Sequence, residues 1–205
     1  MARPRSDIAP RIVRAARRRF LRQGVDGASL RAIAQDAKTS IGMIYYYFPT
    51  KDDLFLAVVE DVYEKAMADL EAAVTGDLSF EEKVERLYRR IGQLTATELD
   101  VFKLVLREAL ISSARVPKLL ERFRKGHLGL ALRTVGEGLM KGELTDRHHP
   151  AVLAASTLVL GIAPQMIRRI AGPSAPFAEL PEGEALAAAL VSVLMKGIGK
   201  EPGAG

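Results

Sequence analysis

The sequence predicts an all-α protein, and two observations support that prediction. Apolar residues recur at helical spacing in almost every segment, and no run alternates between apolar and polar residues as a half-buried strand would. Capping residues, glycines and prolines also divide the chain into lengths that are typical of successive helices. Apolar residues make up 48% of the 205 residues, so the chain can bury a sizeable core.

The first 50 residues predict three helices, of which the second and third are short. These helices cover residues 11–23, 30–36 and 41–47. Gly24 ends the first helix, because glycine readily adopts the conformation of a helix C-terminus. Ser29 and Ser40 are placed to cap the next two helices, and Pro49 stops the third. Two short helices joined by a tight turn match the helix-turn-helix unit that reads DNA.

The remaining chain predicts a long helix followed by a helical body. Thr50 and Asp53 form a capping pair at the start of the long helix, which ends near Gly76. The body helices are predicted over residues 79–97, 100–113, 117–141, 150–170 and 184–196. Pro164 predicts a kink, residues 172–183 predict a loop, and residues 199–205 predict disorder.

Charge is distributed unevenly along the chain. The first 51 residues hold eleven Lys or Arg and three Asp or Glu, a net charge of +8, while the whole chain carries +5. A basic head on a mildly acidic body indicates that the head meets a polyanion. Arg3 and Arg5 are equally consistent with an arm that enters a minor groove and with a disordered tail.

The third helix has two distinct faces at 100° per residue. The side predicted to be buried carries Ile44, Tyr47 and Phe48. Gly42 lies on the opposite side, with Tyr45 and Tyr46 beside it. A helix with glycine at this point can approach a groove closely, and exposed tyrosines offer donors to phosphates and flat faces to sugars. Lys51 lies in the first turn of the next helix, where its charge and free N–H groups suit a phosphate.

These residues resemble the signature of the tetracycline-repressor (TetR) family. The runs are SLRAIA at residues 29–34 and SIGMIYYYF at residues 40–48, followed by Lys51 and Leu54. Family members typically show Thr/Ser-x-x-x-Ile-Ala, then Ser-x-Gly-x-Leu-Tyr-x-Tyr-Phe, then a lysine and a leucine. The resemblance covers about the first quarter of the chain. It implies a bacterial transcriptional regulator in the cytoplasm, a repressor that binds a palindromic operator as a homodimer.

The resemblance also implies the residues that contact DNA. They are Ser29, Arg31, Ser40, Ile41, Gly42, Met43, Tyr45, Tyr46 and Lys51. Ile41 stands where the family often has Lys or Arg, and Met43 where it often has Thr or Ser. Neither side chain is a strong donor, so both can read thymine methyls but not guanine edges. Lys38 stands where a glycine usually ends the preceding helix.

The body is expected to hold a small-molecule effector and to form the dimer. The domain boundaries expected are residues 1–51 for the DNA-binding head, 51–75 for the linking helix and 76–205 for the ligand-binding and dimerisation body. Bulky or polar residues that could line a pocket are Tyr63, Met67, Tyr88, Phe102, Arg107, Phe123, His127, Met140 and Met166. The last two helices are apolar nearly all round and need covering on all sides. The residues expected at the dimer interface are Leu158, Gly161, Ile162, Leu186, Leu190 and Val193.

The alternative is an all-α lipid- or acyl-binding protein or enzyme whose basic head is incidental. The chain has no cysteine, which excludes disulfides, thiolate metal sites and cysteine nucleophiles. No catalytic constellation, metal site or cofactor is predicted, and the adjacent His148 and His149 do not face one way on a helix. The apolar stretch over residues 151–167 is predicted to be a buried helix too short to span a membrane.

Overall fold

The computed structural model describes residues 7–111, 115–172 and 179–198, and these form ten α-helices and no strand. The helices are α1 (Ile8–Gly27), α2 (Leu30–Asp36), α3 (Ile41–Tyr47), α4 (Lys51–Ala73), α5 (Phe80–Gly92), α6 (Ala96–Ile111), α7 (Val116–Lys125), α8 (His127–Met140), α9 (Pro150–Ala171) and α10 (Gly183–Ile198). The prediction of an all-α fold is confirmed. The expectations for residues 1–6 and 199–205, which include the arm with Arg3 and Arg5, lie outside the described residues.

Several predicted helix boundaries were wrong. The first helix spans Ile8–Gly27 rather than residues 11–23, with Gly24 in a non-helical conformation inside it. The helix predicted over residues 117–141 is two helices, because the backbone of Gly126 leaves the helical region at φ −102° and ψ −119°. The helix predicted to reach residue 97 ends at Gly92. A new helix starts after Thr95, whose hydroxyl accepts the Glu98 N–H at 3.2 Å while the Glu98 carboxylate accepts the Thr95 N–H at 2.6 Å. This capping box marks a helix start that the sequence reading missed.

The chain divides into two compact units. The first unit comprises Met1–Ala66 with Thr95–Glu121, and the second comprises Met67–Leu94 with Arg122–Gly205. Helices α4 and α7 therefore each contribute residues to both units. The expected domains were defined by function, whereas these units are defined by how the chain packs. The domain boundaries expected from the sequence therefore stay a prediction.

The core of the first unit forms where α1 packs against α2, α3 and α6. Ile12 and Phe20 of α1 are fully buried, as the helical periodicity predicts. The Phe20 ring meets the Phe55 ring edge-on with centroids 6.5 Å apart. Ile33 of α2 and Ile44 of α3 are also buried, so each short helix is held by an apolar side chain. This packing sets the position of α3, whose opposite side stays exposed.

The core of the second unit is built from α5, α8, α9 and α10. Tyr88 of α5 lies at its centre, and its hydroxyl donates to the Thr157 carbonyl of α9 at 2.7 Å. Burial without a countercharge raises the pKa of the Tyr88 hydroxyl, so the group stays protonated. A Cβ at Gly161 would lie within 2.3 Å of the Tyr88 ring, so α9 approaches α5 at this glycine.

Helix α9 extends beyond the apolar stretch over residues 151–167. It has 22 residues and continues through Pro164. Among the described helices it is the one long and apolar enough to cross a membrane by length and composition alone, with mean hydropathy 1.6 over its best window. The expectation that it is too short was therefore wrong. Its inner face, which includes Leu153 and Met166, is buried inside the protein.

Candidate nucleic-acid interface

The helix-turn-helix is formed by α2 and α3, and each helix is capped by the serine that precedes it. The Ser29 hydroxyl accepts the Ala32 N–H at 3.5 Å, and the Ser40 hydroxyl accepts the Met43 N–H at 3.3 Å. Both serines have extended backbones, as N-cap residues do. The caps therefore come from local sequence, and they leave the first turns of both helices at the surface.

The turn between α2 and α3 contains a strained residue held by an arginine. Lys38 adopts φ 51°, a left-handed conformation that L-residues other than glycine rarely take. The guanidinium of Arg11 donates to the Ala37 carbonyl at 2.8 Å and 3.0 Å and to the Lys38 carbonyl at 2.9 Å. Arg11 thus links α1 to the turn. It also supplies hydrogen-bond donors to two carbonyls of the turn that water would otherwise have to hydrate.

Helix α3 presents one buried and one exposed face. Ile44 is buried, while Tyr45 is 52% and Tyr46 is 76% exposed. Tyr47 and Phe48, predicted to be buried, are only half-buried. The helix ends at Tyr47, and Phe48 leaves it with an extended φ of −136°, so these rings lie at the edge of the core. The Tyr46 and Tyr47 rings meet edge-on with centroids 5.1 Å apart.

The space around Gly42 is open. A Cβ added at this residue would meet only the Ser40 hydroxyl oxygen, at an ordinary van der Waals distance of 3.7 Å. The fold itself therefore does not require glycine at this position. An exposed glycine in a helix lowers helix stability by roughly 0.5–1 kcal/mol relative to alanine. Its presence is consistent with a requirement for close approach by something outside the protein.

The other predicted contact residues differ in exposure. Ser29, Arg31 and Ser40 are exposed, and Ile41 and Met43 are half-buried. The Lys51 ammonium donates to the Asp26 carbonyl at 3.0 Å, which holds the first turn of α4 beside the end of α1. The structure thus brings the nine residues predicted to contact DNA together in one unit.

A buried ionic cluster behind this surface was not predicted from the sequence. Arg115, whose side chain is 8% exposed, binds three carboxylates. Its guanidinium lies 2.5 Å from Asp26 at the end of α1, 2.9 Å from Asp52 at the start of α4, and 2.7 Å from Glu108 of α6. The carboxylates raise the pKa of Arg115, and Arg115 holds the pKa of Asp26 below its usual range.

Glu108 and its neighbour Arg107 extend this cluster to the backbone of α1. Glu108 accepts the Val25 N–H at 3.2 Å, which is possible because Gly24 turns the chain at φ 78°. Arg107 donates to the carbonyls of Phe20 and Leu21. The cluster therefore joins α6 and the start of α7 to the end of α1 and the start of α4.

The predicted pocket residues differ in their surroundings. Arg107 donates to α1 carbonyls, Tyr88 is a core residue whose hydroxyl has an acceptor, and Met140 is exposed. Their role in a pocket stays a prediction. Met67 and Met166 are buried. The others, which are half-buried, are Tyr63, Phe102, Phe123 and His127.

His127 is a pocket candidate whose pKa is shifted by its surroundings. Burial, with the nearby charge of Arg122, lowers the pKa of its imidazole to about 4. The imidazole ring packs against Phe123 with centroids 4.9 Å apart. His127 is therefore neutral at physiological pH.

The second unit also contains a cleft of about 330 Å³ at the C-terminal end of α9. Arg168 and Arg169 line it, and Arg169 donates to the Leu94 carbonyl at 2.5 Å. None of the predicted pocket residues lines this cleft. Within the described residues, no group of three or more His, Asp or Glu side chains could hold a metal ion.

The predicted dimer residues fall into three burial classes. Gly161, Leu186 and Leu190 are buried within their own protomer and offer little surface to a partner. Leu158 and Ile162 are half-buried. Val193 is 61% exposed, and Val159 on α9 is 64% exposed. Of the residues expected at the interface, Val193 is thus the one that lies exposed, and the interface residues stay a prediction.

Comparisons with known proteins identify the family. Residues 12–58 match the family described as "Bacterial regulatory proteins, tetR family". The chain is also 30% identical over 171 residues to the HTH-type transcriptional repressor SCO4008 of Streptomyces coelicolor, across 79% of this chain and 82% of that protein. The chain belongs to the TetR family. This TetR-family protein is accordingly a DNA-binding transcriptional regulator, and its predicted family membership is confirmed.

Two further similarities concern parts of the regulator or its fold. It is 29% identical over 100 residues to the HTH-type nicotine-responsive transcriptional repressor HdnoR of Paenarthrobacter nicotinovorans, across 46% of this chain and 50% of that protein. Its fold matches the crystal structure of FadR from Bacillus subtilis in complex with stearoyl-CoA, with TM-score 0.74 and 18% identity over 92% of this chain and 98% of that one.

Proposed function

We propose that this regulator is a cytoplasmic repressor that binds a palindromic operator as a homodimer and releases it when a small apolar or amphipathic molecule binds the body. The open, exposed face around Gly42 is the observation that supports the DNA-binding part. The exposed Ser29 and Ser40 can donate their hydroxyl protons to phosphates while their oxygens cap α2 and α3, and Tyr45 and Tyr46 can contact sugars and methyl groups.

Gly42→Ala separates a role in DNA approach from a role in folding. The space at Gly42 accepts a methyl group, so the variant should unfold at the same or a slightly higher urea concentration than the parent. Its affinity for an operator selected from random duplexes should nevertheless fall, because the methyl group keeps α3 away from the major groove. Gly136→Ala in α8 is the matched control, since a Cβ there meets nothing within 4 Å. Equal operator affinity for both variants and the parent would contradict the proposed approach.

Lys51 and Met43 are expected to differ in what they contribute. Lys51→Ala should weaken binding to all sequences and flatten the dependence of log affinity on log salt by about one unit, because Lys51 meets a phosphate. Met43→Thr should change the preferred bases instead. Selection of bound sites from random duplexes measures the preference, and titrations at several salt concentrations measure the slope. A changed base preference for Lys51→Ala at unchanged affinity would overturn this division.

The proposed dimer is supported by the unpaired apolar faces of α9 and α10. Val152, Val159 and Val193 are exposed on helices whose opposite faces build the core. Pairing these helices with those of a second copy would cover the exposed valines in a four-helix contact with two-fold symmetry. A dimer also carries two heads, so binding of the first head raises the effective concentration of the second head at its half-site.

Charge on the exposed valines tests the dimer better than charge in the core. Val159→Glu and Val193→Glu should yield folded monomers with weak operator binding, because both side chains lie outside the protomer core. Leu190→Glu would disrupt the protomer itself, since Leu190 is buried. Sedimentation at micromolar concentration measures the oligomeric state. A dimer that persists in both valine variants would place the interface elsewhere.

Two observations support an apolar or amphipathic effector. The body is rich in apolar helices, and two similar proteins are associated with ligands of this kind. One responds to nicotine, and one was crystallised with stearoyl-CoA. A ligand that binds one conformation of the body more tightly would change the distance between the two heads. The heads would then no longer fit two successive major grooves, and the dimer would leave the operator. Long-chain acyl-CoA, with free coenzyme A as control, should raise the melting temperature of the full chain and release operator DNA. Stabilisation without release would argue against regulation by that ligand.

A further inference from the structure

The arginines of α1 divide into those that hold the fold together and those that do not. Arg11 binds the turn between α2 and α3. Arg19 forms a two-point pair with Asp36 at 2.7 Å and 3.0 Å and lowers the pKa of that carboxyl. Arg17 lies 3.5 Å from Asp61 of α4. Each of these three arginines has a carboxylate or carbonyl partner that explains its position.

The other three, Arg14, Arg18 and Arg22, form an exposed row. They are spaced four residues apart, on the side of α1 opposite the buried Ile12 and Phe20. Arg14 is at the limit of an ion pair with Asp7, at 4.0 Å. Among the described residues, no hydrogen-bond or ion-pair partner of Arg18 or Arg22 is found, and their charges only lower the pKa of Asp36 from a distance.

This row differs from an ordinary solvated helix face. Helix α1 carries six arginines and one acidic residue, Asp26. The exposed residues of α5 are mixed in sign, since that helix carries three glutamates with four Lys or Arg. Like charges four residues apart destabilise a helix, so an uncompensated row is unfavourable in the free protein. A polyanion that covers the row removes this repulsion.

The location of the row suits the DNA that the regulator already binds. Arg11, from the same helix, contacts the carbonyls of Ala37 and Lys38, and this turn leads directly to the reading helix α3. The row extends from there along α1 for about 12 Å, at 1.5 Å per residue. That length covers about three to four phosphate steps along one strand of a duplex, at 3.4 Å of rise per step.

We propose that Arg14, Arg18 and Arg22 bind the phosphate backbone of DNA that flanks each half-site, outside the base pairs read by α3. This proposal rests on the proposed operator binding and adds a second DNA surface to it. The contact carries no base preference, because it involves phosphates alone. It extends the DNA length that the regulator needs for full affinity.

The test is a comparison of two variants on duplexes of two lengths. The triple variant Arg14→Gln, Arg18→Gln and Arg22→Gln removes the row and keeps good helix formers. The control is Arg86→Gln, Arg124→Gln and Arg147→Gln, which removes the same charge from exposed sites of the second unit. The duplexes carry the selected operator either alone or with flanks of about ten base pairs, one helical turn, on each side.

Flanks should strengthen binding by the parent and the control, and should not change binding by the triple variant. On the long duplex the triple variant should flatten the plot of log affinity against log salt by about 2–3 units per protomer, near 0.9 for each phosphate lost. Its melting temperature should be unchanged or higher, which excludes misfolding. Three results for the triple variant would overturn the proposal. They are an equal loss of affinity for both duplexes, no loss for either duplex, and a loss of binding to anionic phospholipid vesicles alone. Failure of the parent to bind any duplex would instead refute the proposed function.

Discussion

Replacing Arg115 with methionine tests whether the buried ionic cluster holds the DNA-binding unit together. The substitution leaves Glu108, which is 3% exposed on its side chain, without the cation 2.7 Å away. Removing one partner of a buried ion pair typically destabilises a protein by about 3–5 kcal/mol, because the remaining charge is desolvated and uncompensated. Glu108 keeps the Val25 N–H at 3.2 Å and Arg107 at 3.5 Å, so we expect the lower end, about 3 kcal/mol.

Asp26 and Asp52 should add little to this loss, since both side chains reach solvent. Urea unfolding followed by circular dichroism measures the effect. A loss of about 3 kcal/mol at a slope near 2 kcal/mol per molar urea lowers the midpoint by about 1.5 M. Lys118→Met is the matched control, because Lys118 lies 3.9 Å from Asp53 in an exposed pair and should cost less than about 1 kcal/mol.

A second variant distinguishes an unpaired charge from lost packing. Adding Glu108→Gln to Arg115→Met removes the orphaned carboxylate, so the double variant should be more stable than Arg115→Met alone. The reasoning is refuted if Arg115→Met costs less than about 1 kcal/mol, or if the added Glu108→Gln lowers stability further.

Three further predictions concern single residues. Lys38→Gly should stabilise the protein by about 0.5–1 kcal/mol over Lys38→Ala, because φ 51° strains any residue with a Cβ; equal midpoints in urea would contradict this. Gly161→Ala should destabilise by about 1–3 kcal/mol, against the usual gain for alanine in a helix, because its methyl group meets the Tyr88 ring; a higher melting temperature would be the opposite result. Since His127 has a pKa of about 4 when folded and near 6.5 when unfolded, stability should be full above pH 6.5 and fall by at most about 3 kcal/mol as pH decreases to 4. His127→Gln should reduce that dependence, and an unchanged pH profile would exclude His127 as its source.

The sequence alone determined the features that depend on neighbours a few residues apart. Ser29 and Ser40 both cap the helices they were predicted to cap. Helical periodicity identified Ile12, Phe20 and Ile44 as buried. These features follow from hydrogen bonds over three residues and from side chains one helical turn apart, which the order of residues records directly.

The tertiary structure decided which distant groups meet and which side of an apolar helix faces inward. Arg115 and Asp26 are 89 residues apart in the chain, and no local pattern connects them. Leu190 and Val193 looked equivalent in the sequence of α10, because that helix is apolar on all sides. Packing against α5 and α9 buries Leu190 and leaves Val193 exposed. Periodicity reports that a helix has apolar faces, but the neighbours that cover each face are set only when the whole chain packs.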